Sequence, residues 1–274
     1  MAILDKPFAT SGAAGEGIEL SIIIPARNEQ AKIARDVAAA GDFLQQAGLA
    51  GEILVADDGS DDGTANVAWN AASRLPAGMV QVLRGEISRG KGHAVRRGIS
   101  ATRGRWVMFA DSGTCVPFDN ALAGLKLLQT GECELALGSR KLPGSDIVIP
   151  QIFSRRIFAG LFRWLIHRLL DLPRELTDTQ CGFKLFNGDC ARELFSRCQS
   201  DGFLFDLEII LLATHAGYRI KEFPVTWRCD RDSRISLTRT PLSVLRELWQ
   251  LSRRMRSISF LQRQISHPKR QGSK

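Results

Sequence analysis

Acidic residues follow two of the apolar runs that predict β-strands in this 274-residue chain. Asp57 and Asp58 come directly after Ile53–Ala56, and Asp111 comes directly after Trp106–Ala110. Carboxylates at strand ends can hold a cation or accept hydrogen bonds from a ligand. The alternative for Asp57 and Asp58 is a tight turn, which an Asp-Gly-Ser sequence favours. We expect one of the two to bind a ligand and the other to support the turn.

Cationic residues occupy two segments that suit an anionic ligand. Lys91 stands between two glycines, and Arg231 and Arg234 stand close together near the C-terminus. A guanidinium group can bind phosphate through two hydrogen bonds at once, and a lysine adds a point charge. Groups of these types can balance the charge of a bound anion.

The elements that must position these residues alternate between strand and helix through the first 140 residues. The predicted strands are 20–24 (ended by Pro25), 53–56, 79–83 and 106–110. The predicted helices are 29–46, a helix capped by Asp61 or Asp62 that runs to about 73, and 92–101. This alternation predicts an α/β fold with a mostly parallel sheet and helices on both faces. Ligands of such sheets bind beyond the carboxyl ends of the strands, where these polar residues fall.

The second half of the chain contains two segments that predict amphipathic helices. The first, about 148–172, places large apolar residues on one face, with four arginines and a histidine beside or opposite it. The second, over 242–260, repeats this pattern. Basic amphipathic helices with aromatic residues are typical of helices that lie in a membrane interface. The alternative is that both pack on the sheet or on another subunit, so a homo-oligomer stays open.

The net charge of +8 is concentrated at the C-terminal end. The last 44 residues contain eleven Lys/Arg and two Asp/Glu, and the remaining residues are nearly neutral. A basic tail on a neutral body favours an anionic partner such as a membrane surface, and a tail that only aids solubility is the alternative. No recognised module or aromatic-lined groove accompanies the basic residues, so nucleic acid is not an expected partner.

The chain carries no pattern that predicts secretion or membrane insertion. Its first 17 residues lack the apolar core of a secretory signal, and no run of eighteen apolar residues is present. The six cysteines lack the spacing of a zinc site and are interpreted as reduced and mostly buried. We therefore expect a cytoplasmic protein that associates peripherally with a membrane.

The order and spacing of several motifs resemble those of family-2 glycosyltransferases with the GT-A fold. The likeness runs from Leu20 to about Ser236, and its motifs are 25–29 (PARNE), 57–64 (DDGSDDGT), 89–96 (RGKGHAVR), Asp111, 178–184 (DTQCGFK) and 203–208 (FLFDLE). Within the family, residues 138–140, the first amphipathic segment and DTQCGFK resemble the polyprenyl-phosphate sugar synthases, such as dolichyl-phosphate β-glucosyltransferases and dolichyl-phosphate mannose synthases. A Rossmann dehydrogenase is excluded because no G-x-G-x-x-G follows the first strand.

This resemblance implies a role for each motif. Nucleotide-sugar binding is implied for Pro25, Ala26, Arg27, Glu29, Asp57, Asp58, Lys91, Asp111, Arg231 and Arg234, the last two in a basic flap that closes on the diphosphate. Binding of an acceptor phosphate is implied for Arg140, Ser154 and Arg155. Catalytic roles are implied for Asp111, Asp178 and Gln180, with Asp178 as the base if the acceptor were a hydroxyl.

The predicted metal site departs from the family pattern. The family usually has D-x-D, in which two carboxylates hold Mg²⁺ or Mn²⁺ between the donor phosphates. This chain has Asp111-Ser112-Gly113-Thr114, so the second carboxylate is absent. We expect weakened metal binding by Asp111, with Ser112 or Thr114 as an additional weak ligand. The alternatives are that arginines replace the metal, or that catalysis has been lost.

The function that the resemblance implies is inverting transfer of a hexose, glucose by likeness to the glucosyltransferases, from a UDP-sugar to a polyprenyl or dolichyl phosphate. A phosphate monoester is largely ionised near neutral pH, so this acceptor needs positioning more than it needs a base. Two alternatives stay open, namely transfer to a glycan or lipid hydroxyl, and a catalytically silent nucleotide-sugar-binding protein. The expected division is a flexible N-terminus (1–17), a catalytic domain (18–236), and a basic helix and tail (237–274).

Overall fold

Strands and helices alternate along the chain in the computed structural model, which describes residues 17–149, 166, 168–228 and 241–266. The strands are β1 (Leu20–Ala26), β2 (Gly51–Asp57), β3 (Val80–Arg84), β4 (Trp106–Ala110), β5 (Leu135–Ser139), β6 (Asp146–Ile149), β7 (Phe183–Asn187), β8 (Ile220–Pro224) and β9 (Thr226–Arg228). The helices are α1 (Ile33–Gln46), α2 (Thr64–Ala72), α3 (Lys91–Ser100), α4 (Ala121–Gln129), α5 (Gly188–Arg197), α6 (Phe205–Ala216) and α7 (Pro241–Ser266). A 3₁₀ turn covers Phe118–Asn120.

Seven strands form one sheet in the order β3-β2-β1-β4-β7-β5-β8. Only β7 runs antiparallel to its neighbours in this sheet, so the prediction of a mostly parallel sheet is confirmed. Because β7 is reversed, its first residue, Phe183, pairs with Ala110 at the end of β4. The residues that precede Phe183 therefore meet the carboxyl ends of β1, β2 and β4 at one edge of the sheet. Strands β6 and β9 pair separately.

Each face of the sheet buries its own hydrophobic core. Ile23 belongs to the core that contains residues of α3, α5, α6 and α7, whereas Ile22 and Ile24 belong to the core that contains residues of α1 and α4. This alternation follows from the period of two in a strand, and burial of one such side chain contributes about 2 kcal/mol. The two cores hold the strand ends rigidly, which is what a binding site at that edge requires.

Some predicted boundaries are wrong, for identifiable reasons. Strand β1 continues through Pro25 to Ala26, because the β1–β4 ladder already ends at Ile23 and only β2 pairs with β1 beyond it. Helix α1 begins at Ile33 and not at residue 29, because the preceding residues bond to the loop after β2. The predicted cap holds in part, since Asp62 accepts the Thr64 N–H (2.9 Å) although the helix itself begins after Gly63.

The first predicted amphipathic helix, about 148–172, is wrong at its start, because Asp146–Ile149 forms β6 and pairs with β9. Residues 150–165 and 167 lie outside the described part of the chain, so membrane contact by this segment stays a prediction. Helix α7 covers the second segment and buries Leu248, Leu251 and Met255. Among the described residues, no helix is long and apolar enough to cross a bilayer.

Candidate active site

Hydrogen bonds join the loop after β1 to the loop after β2. The Ser60 hydroxyl accepts the Asn28 N–H, and the Thr64 hydroxyl accepts the Glu29 N–H, both at 2.8 Å. Asn28 has a φ of 52° and accepts the Asp61 N–H (2.8 Å) through its side chain. Asparagine tolerates this left-handed conformation better than most residues do. The PARNE and DDGSDDGT motifs therefore form one continuous surface at the edge of the sheet.

The nucleotide-binding residues predicted at the end of β1 and in the loop after it lie at or directly beneath this surface. Pro25 and Ala26 are buried at the end of β1, and Arg27 is exposed beyond them. Glu29 is half-buried and lies 3.9 Å from Lys32 in an ion pair. The loop thus presents one exposed guanidinium group and one partly shielded carboxylate beside the strand end.

The carboxylates of Asp57 and Asp58 are engaged differently. Asp57 Oδ1 accepts the N–H and the hydroxyl of Ser60, whereas its buried Oδ2 has no hydrogen-bond partner among the described residues. Asp58 accepts the Ser88 hydroxyl (2.7 Å) and two backbone N–H groups, those of Arg89 and Gly90 (both 2.9 Å). Asp58 therefore fixes the loop that leads into α3, and Asp57 supports its own turn while keeping one unused acceptor atom.

Asp111 and Lys91 form an ion pair at the end of β4. Lys91 Nζ lies 2.6 Å from Asp111 Oδ1, and the two side chains are 20% and 39% exposed. Burial alone would lower the pKa of Lys91, but the carboxylates of Asp111 and Asp206 outweigh it and raise that pKa. The Asp111 N–H donates to the Gly182 carbonyl (2.8 Å), and the Asp111 carboxylate lies against Gly182. The site therefore holds a permanent cation and a carboxylate in a fixed arrangement.

The hydroxyls of Ser112 and Thr114 point to a carboxylate that sequence reasoning missed. Both donate to buried Asp36 of α1, at 3.1 and 2.6 Å, and the Gly113 N–H does the same at 2.7 Å. This arrangement disfavours the expectation that Ser112 or Thr114 adds a metal ligand, because the protein already uses these hydroxyls to anchor the loop. Asp36 lies on the buried face of an amphipathic helix, where an acid is unusual, and this position could have identified it from the sequence as a residue with a buried partner.

Asp178 and Arg140 form a second ion pair. Arg140 donates from Nε to Asp178 Oδ2 (2.6 Å) and from Nη2 to Oδ1 (2.8 Å). Burial alone would raise the pKa of Asp178, but the hydrogen bonds and charge of Arg140 outweigh it and hold that pKa below its ordinary value. Arg140 also lies over the ring of Trp227 (5.5 Å to the centroid). Asp178 is therefore a weak base, and Gln180 nearby in the chain is exposed.

A third pair, Lys184 and Asp206, is almost fully buried. Lys184 Nζ donates to Asp206 Oδ1 (2.7 Å) and to the Cys181 carbonyl (2.6 Å). Burial raises the pKa of Asp206 even though Lys184 and Lys91 oppose the shift. The two residues belong to the motifs DTQCGFK and FLFDLE, but the sequence alone assigned neither of them a role. The signal was a lysine within the otherwise apolar run 183–186, because a lysine that is buried there needs a partner of opposite charge.

The three pairs belong to one region of the protein. The buried Cys181 interacts electrostatically with Arg140, Asp178, Lys184 and Asp111. Four predicted site residues, Ser154, Arg155, Arg231 and Arg234, lie outside the described residues, so their roles stay predictions. Within the described chain, no group of three His, Cys, Asp or Glu side chains is arranged to hold a metal ion.

This chain is similar in sequence to a known protein family and to characterised relatives. The family model of glycosyl transferase family 2 matches residues 21–195. The dolichyl-phosphate β-glucosyltransferase of Drosophila melanogaster is 36% identical over 77% of this chain and 67% of its own length. The enzyme of that name from Saccharomyces cerevisiae is 29% identical over 85% of this chain and 74% of its own length.

Solved structures share the fold at lower sequence identity. The glucosyl-3-phosphoglycerate synthase of Mycobacterium tuberculosis, crystallised with Mn²⁺, UDP-glucose and phosphoglyceric acid, has a TM-score of 0.59 and 21% identity, with coverage of 90% of this chain and 80% of that one. The mannosyl-3-phosphoglycerate synthase of Rubrobacter xylanophilus has a TM-score of 0.57 and 19% identity, covering 87% and 73%. The fold is thus GT-A, with acidic and cationic groups at the carboxyl edge of its sheet. The chain belongs to glycosyl transferase family 2 and is a glycosyltransferase.

Proposed function

We propose that this glycosyltransferase moves glucose from UDP-glucose to a polyprenyl or dolichyl phosphate at the cytoplasmic face of a membrane. The similarity to dolichyl-phosphate β-glucosyltransferases supports the sugar and the lipid. The observation that carries the phosphate acceptor is the Arg140–Asp178 pair, because it leaves the candidate base unsuited to deprotonate a hydroxyl. A lipid phosphate needs no such base, since its second pKa of about 6 leaves it ionised.

The proposed reaction is a direct displacement. An oxygen of the lipid phosphate attacks the anomeric carbon of the sugar, the bond to UDP breaks with its electron pair, and UDP leaves from the opposite face. An α-linked donor therefore gives a β-linked product. Lys91 would stabilise the negative charge that grows on the leaving diphosphate, together with Arg231 and Arg234 of the predicted flap. Arg140 and the predicted residues Ser154 and Arg155 would hold the acceptor phosphate.

The nucleotide base would bind at the surface formed by PARNE and the loop after β2. Asp57 offers a buried oxygen that is unpartnered among the described residues, and Asp58 connects this surface to the loop before Lys91. Calorimetry of UDP binding to Asp57→Asn and Asp58→Asn separates their roles. If a carboxylate binds the base, its replacement should lower the affinity for UDP and leave residues 88–90 in place. If it only supports the loop, its replacement should lower the affinity and also loosen residues 88–90.

A divalent cation fits this site only weakly. Asp111 is the residue that would hold Mg²⁺ or Mn²⁺, and one of its oxygens already pairs with Lys91. The Ser112 and Thr114 hydroxyls donate to Asp36, so the remaining ligands would be donor phosphates and water. A bound cation would neutralise charge on the diphosphate, and Lys91 would provide part of the same neutralisation.

Among the described residues, helix α7 carries the surface that we propose to contact the membrane. Leu245 and Trp249 are 43% and 57% exposed, and Arg246, Arg253 and Arg256 are exposed beside them. This combination suits the interface of a bilayer that contains anionic lipids. Flotation with phosphatidylglycerol vesicles should recover the protein, and Trp249→Ala together with Arg253→Ala should reduce that recovery. Equal recovery of the variant would remove α7 as the contact.

A donor and acceptor screen tests the proposed reaction. Purified protein is incubated with UDP-glucose, other UDP-sugars or GDP-mannose, with Mg²⁺, Mn²⁺ or EDTA, and with or without polyprenyl phosphate. We expect a β-linked glucosyl lipid phosphate from UDP-glucose only. Glycolipid from another donor would refute the sugar assignment, and transfer only to glycan or lipid hydroxyls would refute the phosphate acceptor.

A further inference from the structure

Helix α7 contacts the loop between α5 and α6 through the carboxylate of Glu247. This carboxylate has its pKa raised by burial, against the opposing effect of the nearby backbone N–H groups of Leu204 and Gly202. It lies so close to Gly202 that a Cβ at that position would be 2.8 Å from Glu247 Oε2. The helix therefore contacts the backbone of this loop directly, and the absence of a side chain at Gly202 lets the Glu247 carboxylate approach this closely.

Arg254, two turns further along α7, holds the same loop at a second point. Its Nη2 donates to the Ser200 hydroxyl (2.9 Å) and contacts Glu208 Oε2 (3.3 Å). Glu208 is 1% exposed and also accepts the Ser200 N–H (2.7 Å). Because Glu208 belongs to α6, Arg254 links α7, the loop and α6 through one buried carboxylate.

The other side of this loop caps the first turn of α3. The Gly92 N–H donates to the Gly202 carbonyl (3.2 Å), and the His93 N–H donates to the Asp201 carbonyl (3.1 Å). These N–H groups have no acceptor within their own helix, so the loop supplies one. A Cβ at residue 90 or 92 would collide with backbone atoms of 200–202, which shows how closely the two segments approach.

Lys91 lies within the turn that this loop caps. Its ammonium group pairs with Asp111, and it also lies 5.8 Å from the ring centroid of Phe205, the first residue of α6 after the loop. The backbone of Lys91 is therefore placed by residues 200–202, and its side chain is placed by Asp111 and Phe205. A shift of the loop would move the ammonium group away from the end of β4.

We propose that Glu247 and Arg254 are positioning residues that set Lys91 at the donor site by way of residues 200–204. The inference rests on the proposed contact of Lys91 with the donor diphosphate. The C-terminal helix, which lies outside the family-matched residues 21–195, thereby becomes part of the nucleotide-binding apparatus. A misplacement of about 1 Å in such a group can cost on the order of 100-fold in rate.

The first test measures the coupling without any ligand. Hydrogen exchange of the Gly92 and His93 amides is followed in wild type, Glu247→Ala, Arg254→Ala and two controls on exposed positions of α7, Gln250→Ala and Arg253→Ala. We expect exchange at least about tenfold faster in the first two variants and unchanged exchange in the controls. Glu247→Gln keeps the size of the side chain that lies against Gly202, so it should retain protection and serves as the second variant if Glu247→Ala does not fold. Unchanged exchange in Arg254→Ala, or equal acceleration by Arg253→Ala, would overturn the inference.

The second test asks whether the coupling acts through Lys91. UDP and GDP affinities are measured for Arg254→Ala, Lys91→Gln and the double variant. We expect each single variant to lose about tenfold in affinity and the double variant to lose no more than Lys91→Gln alone. Additive losses would contradict action through Lys91. The comparison uses whichever nucleotide binds and needs no acceptor. Its result therefore does not depend on whether the sugar is glucose or the acceptor is a lipid phosphate.

Discussion

The carboxylate of Asp111 lies directly against the Cα atom of Gly182, where the methyl group of any other residue would overlap it. The reversed direction of β7 causes this contact, because it brings the residues before Phe183 to the end of β4. The DTQCGFK motif therefore contains glycine for a steric reason that is connected to the acidic group of the donor site.

Replacing Gly182 by alanine should displace the Asp111 carboxylate and lower kcat/KM by about 100-fold. Steady-state kinetics of the single variants and of the double variant Gly182→Ala/Asp111→Ala provide the measurement. If the glycine acts only through Asp111, the double variant should be no slower than Asp111→Ala alone. Independent, additive losses would contradict this explanation, and thermal unfolding checks that the variants are folded.

Replacing Lys91 by glutamine should lower kcat/KM by about 100-fold without added metal, because the leaving diphosphate loses a cation. It should also free an oxygen of Asp111, so Mn²⁺ should restore more activity in the variant than in wild type. Titration of turnover with Mn²⁺ after EDTA treatment measures both effects. Lys91→Arg is the matched control that retains the charge. An identical Mn²⁺ response in Lys91→Gln and wild type would contradict the proposal that Lys91 and the metal ion share the neutralisation of the diphosphate.

Replacing Arg140 by glutamine should destabilise the protein by about 3 kcal/mol at pH 8, because the buried Asp178 loses its main cation and, among the described residues, keeps Lys141 at 4.0 Å. In wild type the lowered pKa of Asp178 contributes stability above the unfolded value near 3.9, which is lost as the pH falls through the folded pKa. In the variant, burial should raise that pKa, so stability is lost as the pH rises through it. The difference in free energy of unfolding should therefore grow from pH 4.5 to pH 8.

Urea denaturation across this pH range measures the difference. Arg197→Gln is a suitable control, because the exposed Arg197–Glu193 pair should contribute less than about 1 kcal/mol with little pH dependence. A pH-independent loss for Arg140→Gln would show that its effect comes from packing on Trp227 and not from the charge of Asp178.

Replacing Lys184 by methionine should destabilise the fold by about 4 kcal/mol, because the buried Asp206 then loses the cation that hydrogen-bonds to it. The double variant Lys184→Met/Asp206→Leu should recover most of this loss, since it removes both buried charges. Chemical denaturation of the two variants measures the difference. A double variant as unstable as the single one would show that the pair is needed for shape rather than for charge balance.

The sequence by itself predicted the alternating α/β architecture and placed the polar motifs at the carboxyl edge of the sheet. Apolar runs and helical periodicity are local properties, and the hydrophobic effect acts on them in almost any context. Boundaries failed where a distant partner intervened. Helix α1 begins only at Ile33 because Glu29 and Gln30 bond to residues that follow β2. Val148 and Ile149 form a strand because β9 lies beside them.

Only the tertiary structure decided which charges meet. Ser112 and Thr114 are 76 and 78 positions from Asp36, Arg140 is 38 from Asp178, and Arg254 is 46 from Glu208. Such pairs depend on strand order and on the reversal of β7, neither of which has a local signature in the chain. The sequence thus determined the chemical groups and the edge at which they gather. The fold decided their partners, because the energy of a charge depends on the distance to its neighbours and on its burial, and both are set only when remote segments pack.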